Sequence, residues 1–269
     1  MELREIGKTG ERVPVVGMGT WAIGNSGGEK RREEIKAIQR GIELGMKFID
    51  TAEVYGHGRS ESLVGDAIRE YRDEVFLATK VAPENFAYDD VIRSCETSIQ
   101  RLGVKFVDLY QLHWPNPRIP LKETMRAMEE LVATGKTRYI GVSNFSVEQT
   151  MQAQESLPRS ELVSNQVRYS ITSRSIEADL LPFCNKERIT VIAYSPLDTG
   201  NIPISKIPKE MLTKYEMTPA QLMLNWVTYR DPVVTIPKAG RVSHVEEDAR
   251  SVDVRISQTD YDALSHRFE

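Results

Sequence analysis

Four ionisable side chains, Asp50, Tyr55, Lys80 and His113, stand in the first half of a 269-residue chain, in an order that could move a proton. A tyrosine hydroxyl has an ordinary pKa of about 10, too high to exchange a proton freely at neutral pH. An ammonium beside it favours the phenolate, and a carboxylate beside the ammonium keeps that ammonium charged. Asp50, Tyr55 and Lys80 therefore make a sensible relay, and lowering the phenol by about 3 units would take roughly 4 kcal/mol of differential interaction. His113 could donate a hydrogen bond to a carbonyl oxygen and fix its orientation. A positioned proton donor is worth about 10²–10⁴ in rate. Each residue also has a plainer reading: Asp50 as a turn or capping carboxylate, Lys80 as its salt-bridge partner, Tyr55 as a rim aromatic, His113 as a satisfied core histidine.

Something must position these groups. Residues 15–20, 47–51, 75–80, 107–113, 138–143, 163–166, 190–194 and 232–236 read as short apolar or β-branched strands. Between them lie amphipathic segments, clearest at 29–44, 60–71, 89–102, 121–134 and 147–155. Gly45 suits the position just past the first helix, where a positive φ costs glycine little, and Ser60 suits a cap of the second. Strands alternating with helices imply parallel pairing and right-handed crossovers. Eight such units in about 250 residues fit a closed (β/α)8 TIM barrel better than an open sheet. Ahead of it, Leu3 to Ile6 and Arg12 to Pro14 flank a Lys-Thr-Gly turn, which suggests a short N-terminal β-hairpin over the barrel floor. No linker or composition break divides residues 1–269, so a single barrel domain is expected.

Barrel enzymes carry their reactive groups at the C-terminal strand ends. Those ends here bear Trp21, Asp50 with Tyr55 just beyond, Lys80, His113-Trp114, Ser143-Asn144, Gln166, Tyr194-Ser195 and Lys238. Gly, Ser, Asn and Asp are ordinary turn chemistry; Lys80, His113, Trp114 and Tyr194 are not.

Composition narrows the classes. The chain is 40% hydrophobic and 28% charged with net charge −4, and its cations are scattered, which argues against nucleic acid. No run approaches the ~18 apolar residues of a membrane span, and the first residues lack the apolar core of a secretory signal. The cytoplasm is the expected location. Cys95 and Cys184 have no CxxC spacing and read as buried thiols. His57, His113, His244 and His266 lie far apart with no i, i+4 pair, against a metal site. Gly17-Met-Gly19 lacks the remainder of a Rossmann fingerprint, and no G-x-S-x-G occurs for a hydrolase elbow.

The residues in sequence order resemble the aldo-keto reductase superfamily nearly end to end. Asp50-Thr-Ala-Glu-Val-Tyr55-Gly, Ala78-Thr-Lys80, Val107-Asp-Leu-Tyr-Gln-Leu-His113-Trp114-Pro, the stretch Gly135 to Phe145, Asn165-Gln166, Ala193-Tyr-Ser-Pro-Leu197 and Ile236-Pro-Lys238 carry the likeness. The resemblance implies reduction of aldehydes or ketones to alcohols by hydride transfer from a nicotinamide cofactor. Tyr55 would then be the general acid, tuned by Lys80 and Asp50, with His113 orienting the carbonyl. It implies that Ser143, Asn144 and Gln166 hold the nicotinamide carboxamide, that Tyr194 stacks on the ring, and that Ser195 and Leu197 meet the pyrophosphate. Lys238, Arg241 and His244 would face the adenosine phosphate, and Trp21 and Trp114 would wall the substrate pocket.

Three positions depart from the family pattern: Ala239 replaces a usual hydroxyl residue, His244 a usual arginine, and Asp198 a usual glycine. Neutral histidine is a poorer phosphate partner than a bidentate guanidinium, so NADP(H) is favoured and NAD(H) remains possible. Asp198 would repel a pyrophosphate unless its side chain points away. The segment after His113 and the chain's last stretch are both short, which implies an open pocket for small or varied aldehydes. The expected partner is a small-molecule carbonyl substrate, and the expected state a monomer or weak oligomer. Two other readings stay open: an NADPH-binding regulatory or sensor subunit with slow turnover, and a TIM-barrel lyase or isomerase using paired carboxylates, for which Glu53 is the weak second candidate.

Overall fold

In the computed structural model, which describes residues 1–238 and 240–269, the chain opens with two short antiparallel strands, β1 (Leu3–Glu5) and β2 (Arg12–Pro14). Gly7 and Gly10 turn the chain between them at positive φ. Ile6 and Val13 are fully buried against Phe48, Phe76, Leu109, Val163, Ile192 and Val234. The hairpin is a plug that closes one end of a barrel. Ala239, where a hydroxyl residue is usual, lies outside the described residues.

Eight parallel strands form that barrel: β3 (Met18–Gly19), β4 (Phe48–Asp50), β5 (Phe76–Val81), β6 (Val107–Leu112), β7 (Thr137–Ser143), β8 (Leu162–Arg168), β9 (Thr190–Tyr194) and β10 (Val233–Thr235). They pair in sequence order. Parallel bridges between Val16 and Thr235 and between Gly19 and Lys238 join the last strand to the first. The sheet is thereby nearly closed on itself. The crossovers are α1 (Gly28–Glu43), α2 (Arg59–Ile68), α3 (Tyr88–Leu102), α4 (Leu121–Ala133), α5 (Val147–Glu155) and α6 (Leu180–Glu187). Two helices, α7 (Lys209–Tyr215) and α8 (Pro219–Val227), follow β9, and α9 (Val242–Ala249) and α10 (Gln258–His266) follow β10.

Strand side chains alternate between barrel interior and helix layer. Phe48, Phe76 and Leu109 face the plug. Two or four residues further along the same faces stand Asp50, Lys80, Gln111 and His113. The interior thus changes from apolar at the plugged end to polar at the open one. Register sets the neighbours: Asp50 lies opposite Ala78, Lys80 opposite Gln111, and Ser143 opposite Gln166.

The helices bury single stripes against the sheet. On α3 that stripe is Val91, Cys95, Ile99 and Leu102, each aliphatic burial being worth about 1.5–3 kcal/mol. Cys95 and Cys184 are free and buried, and burial pushes both thiols up to about 12, so they stay protonated and inert. Gly45 takes the expected positive φ. Ser60 is not the cap that the sequence suggests. Left-handed residues just ahead of α2 start the helix at Arg59 with Gly58 as cap, so Ser60 falls inside the first turn, where its buried hydroxyl donates to the Thr20 carbonyl at 3.0 Å. No helix among the described residues is long and apolar enough to cross a membrane.

Candidate active site

Lys80 is fully buried on β5, and its ammonium has three acceptors. Nζ donates to Asp50 Oδ2 at 2.5 Å, to the Thr51 carbonyl at 2.8 Å and to the Tyr55 hydroxyl at 3.4 Å. Asp50 Oδ1 accepts from Gln166 Nε2 at 2.7 Å and Gln111 Nε2 at 3.2 Å. A buried ion pair is stable only when its remaining lone pairs are satisfied, and here both oxygens of Asp50 have partners.

Tyr55 reaches this group from a tight turn after β4. Gly56, His57 and Gly58 all have positive φ. A Cβ on Gly56 would stand 2.4 Å from Asn25 Oδ1, and one on Gly58 2.5 Å from Arg101 Nε. Those side-chain ends can shift, so it is the positive φ more than the space that favours glycine at both positions. His57 is a non-glycine residue held in the left-handed region, a strain of about 1–3 kcal/mol that tends to collect at functional sites.

Burial dominates the electrostatics. It pushes the Tyr55 phenol above its ordinary value, with Lys80 opposing and Asp50 assisting. The lowering expected from Lys80 is thus outweighed by desolvation, because the phenol sits deep enough to lose most of its water. Burial also works against the Lys80 charge, yet Asp50 and then Tyr55 lift the lysine above its ordinary pKa. His113, 3% exposed, is held at about 3 by burial and by Lys80, so its imidazole is neutral. Its ring meets Tyr55 edge-on, centroids 5.6 Å apart, and stacks on Trp114 at 4.3 Å. His113 Nδ1 is buried without a hydrogen-bond partner among the described residues.

These groups lie at one end of a cavity of about 970 Å³, the upper end of the size range for small-molecule sites. Asp50, Tyr55 and His113 line it, with Lys80 directly behind. Trp21 and Trp114, 61% and 45% exposed, wall its open end beside Val54 and Asn25. Along its flank, Ser143 donates to the Gln166 carbonyl at 2.8 Å, and Asn144 Nδ2 donates to the His113 carbonyl at 3.2 Å. The Tyr194 hydroxyl donates to Asn144 Oδ1 at 2.9 Å. Ser143, Asn144, Gln166 and Tyr194 are thus one connected wall.

The rim beyond is conformationally unusual. Ala22, Asn144, Ser195 and Thr199 line the cavity with positive φ. Ser195 and Leu197 face it; Asp198 does not line it, and its carboxylate is ion-paired with Arg168 instead. The side chain points away, which removes the repulsion that its sequence position threatens. Lys238 and His244 line the far end, whereas Arg241 stands at the start of α9 outside the lining. Glu247 and Asp248 also line it, and burial with Glu247 nearby raises the Asp248 carboxyl to about 8. Glu53 is occupied elsewhere: its Oε1 accepts from the Ala82 amide at 2.6 Å and Asn85 at 2.9 Å. No second free carboxylate faces Asp50 in the manner that a paired-carboxylate lyase needs, among the described residues.

The structure brings nearly every residue expected from the sequence to one place, Arg241 excepted, and adds others. Gln111 shares the inward face of β6 with His113, so strand periodicity could have found it. Asn25, Glu247 and Asp248 come from loop and helix positions that carry no such signal. Chemically, the closed end offers a neutral imidazole and a phenol on a buried ammonium, fit to hold and protonate an oxygen. The flank offers a flat phenol ring, carboxamides and hydroxyls; the far end, cations.

A family model described as the aldo/keto reductase family matches residues 15–266. A methylglyoxal reductase of Escherichia coli (strain K12) is 37% identical over 261 residues, 95% of this chain and 91% of that protein. A glyoxal reductase of Bacillus subtilis (strain 168) is 34% identical over 260 residues, 95% of this chain and 89% of that protein. The crystal structure of an aldo-keto reductase from Klebsiella pneumoniae in complex with NADPH superimposes with a TM-score of 0.91 at 38% identity, covering 100% of this chain and 96% of that one.

Proposed function

This chain belongs to the aldo/keto reductase family, and from that premise we propose that it reduces small aldehydes and ketones, 2-oxoaldehydes among them, to alcohols with NADPH. The whole of residues 1–269 would act as one barrel unit, working in the cytoplasm as a monomer or weak oligomer. The observation that carries this reading is the Lys80 ammonium, bonded at once to Asp50 and to the Tyr55 hydroxyl, at the closed end of a cavity walled by tryptophans.

The residues present fit a nicotinamide dinucleotide. Tyr194 offers a half-buried ring face held by its bond to Asn144. Gln166 has its Nε2 committed to Asp50, which leaves Oε1 to accept from a carboxamide NH₂. Ser143 and Asn144 would complete that contact, Ser195 and Leu197 would meet the pyrophosphate, and Lys238 and His244 would serve the adenosine phosphate, with Arg241 nearby but outside the lining. When bound, NADPH supplies the hydride for the carbonyl carbon.

The rest is done by the protein's own side chains. Neutral His113 holds the carbonyl oxygen; with Nδ1 buried and unpartnered, Nε2 is the ring nitrogen left to meet it. Tyr55 donates its proton to that oxygen as negative charge develops. The phenolate left behind is stabilised by Lys80, whose charge Asp50 preserves. A phenol kept above its ordinary pKa stays protonated at neutral pH, which suits an acid more than a base. Trp21 and Trp114 exclude water from one side and receive small apolar substituents.

NADPH oxidation, followed by loss of nicotinamide absorbance with methylglyoxal, glyoxal and simple ketones, tests the reading. Turnover of the dicarbonyls is expected to exceed that of the ketones. Tight NADPH binding without turnover of any carbonyl would turn the reading toward a sensor, and no NADPH binding at all would overturn it.

A further inference from the structure

Glu34 is a carboxylate with no part in the proton transfer from Tyr55. It lies on α1, only 4% exposed, and its Oε2 accepts the Gly24 amide at 3.1 Å. That bond fixes the loop carrying Ala22 and Asn25, two residues of the cavity wall. On its other side Glu34 lies behind the Lys238 end of the cavity without lining it. A Cβ built on Gly240 would stand 3.8 Å from Glu34 Cγ and 3.8 Å from Lys238 Nζ, so these two atoms are no more than twice that distance apart. α1 and α9 pack together, which keeps Glu34 close to the segment between Lys238 and α9.

The charge arithmetic at this end is unusual for a phosphate site. Among the described residues Lys238 is the lysine or arginine lining this end, His244 lines it as well, and Arg241 lies outside the lining. Against them stand Glu34 beside Lys238, and Glu247 on the wall. A carboxylate next to a lysine cancels part of the field that would attract a dianionic phosphate.

We propose that Glu34 is a specificity-determining residue for the cofactor: a buried negative charge behind Lys238, it weakens the hold on a ribose 2′-phosphate, so that this chain uses NADH as well as NADPH. This rests on the cofactor site proposed at Lys238. Glu34→Gln is the informative variant, because the amide oxygen still accepts from Gly24 while the charge is gone.

Binding of NADP⁺, NAD⁺ and adenosine 2′,5′-bisphosphate is read by isothermal titration calorimetry. The wild type should bind NADP⁺ and NAD⁺ within about a hundredfold of each other. E34Q should tighten NADP⁺ and the bisphosphate three- to tenfold and leave NAD⁺ unchanged. Equal changes for both dinucleotides, or none, while Lys238→Ala selectively loses NADP⁺, would overturn the assignment of Glu34 alone. A Lys238→Ala variant that loses both equally would remove the phosphate site itself, and this inference with it. Should E34Q not fold, a wild-type preference for NADP⁺ above a thousandfold is enough to reject the idea.

Discussion

Gln166 donates its side-chain amide to Asp50 Oδ1 at 2.7 Å, across 116 residues of sequence. A wall residue expected to meet the cofactor is thereby also the clamp on the carboxylate behind Lys80. Gln166→Leu should consequently do two things: weaken cofactor binding, and lower turnover at saturating cofactor by about tenfold as Asp50 loses its orientation. Steady-state kinetics separates the two effects. A change confined to the cofactor's KM would detach Gln166 from the proton-transfer group.

Tyr55→Phe should leave cofactor affinity within about twofold and reduce turnover by at least about 10². Because burial raises the Tyr55 pKa, the acid form persists through neutrality. The rate of carbonyl reduction should stay flat between about pH 6 and 9 and fall only on the alkaline side. An acidic limb in that range would assign the proton to another group.

Removing Lys80 leaves Asp50 buried without its counter-charge. Lys80→Met should cost about 3–5 kcal/mol of stability, as broken buried ion pairs do. Adding Asp50→Asn should recover much of that loss while activity stays absent. Denaturant unfolding of both variants decides it: a double variant no more stable than the single would show that the pair is not coupled.

His113 gives a pH signature. Its folded pKa of about 3 lies below the ordinary 6.5, so between those values the unfolded chain binds the extra proton. Stability must therefore fall as pH drops through that window. From pH 7 to 5 the wild type should lose about 2 kcal/mol more than His113→Gln. Parallel losses in the two proteins would mean that His113 is not held neutral by its surroundings.

Arg168 pairs with Asp198 at the rim, with Arg168 half exposed. Exposed pairs contribute little to stability, roughly 0–1 kcal/mol, but this one also keeps a carboxylate off the cavity wall. Arg168→Ala should weaken NADP⁺ binding about threefold, more at low salt than at high. Weakening that ignores ionic strength would point to lost packing instead.

The barrel, its plug and the convergence of Asp50, Lys80 and His113 were legible because strand periodicity and strand ends are local signals. Asp50, Lys80 and His113 stand two or four residues past apolar positions on the same strand face. The sense of the Tyr55 shift was not legible, since it depends on how much water the fold removes. Ser60 misled because a cap and a first-turn hydroxyl look alike until the preceding backbone is known. Glu34 was invisible for a related reason: on a helix of sixteen residues it is one glutamate among several, and only the approach of Gly240 gives it a neighbour.

Ile6 and Val13 cork the barrel at the end opposite Trp21 and Trp114. The packing of the base and the shape of the mouth are in that sense set at separate poles of the molecule. Substitutions in the cork can harden or soften the protein without reshaping its mouth, and the tryptophans can be exchanged without loosening its base.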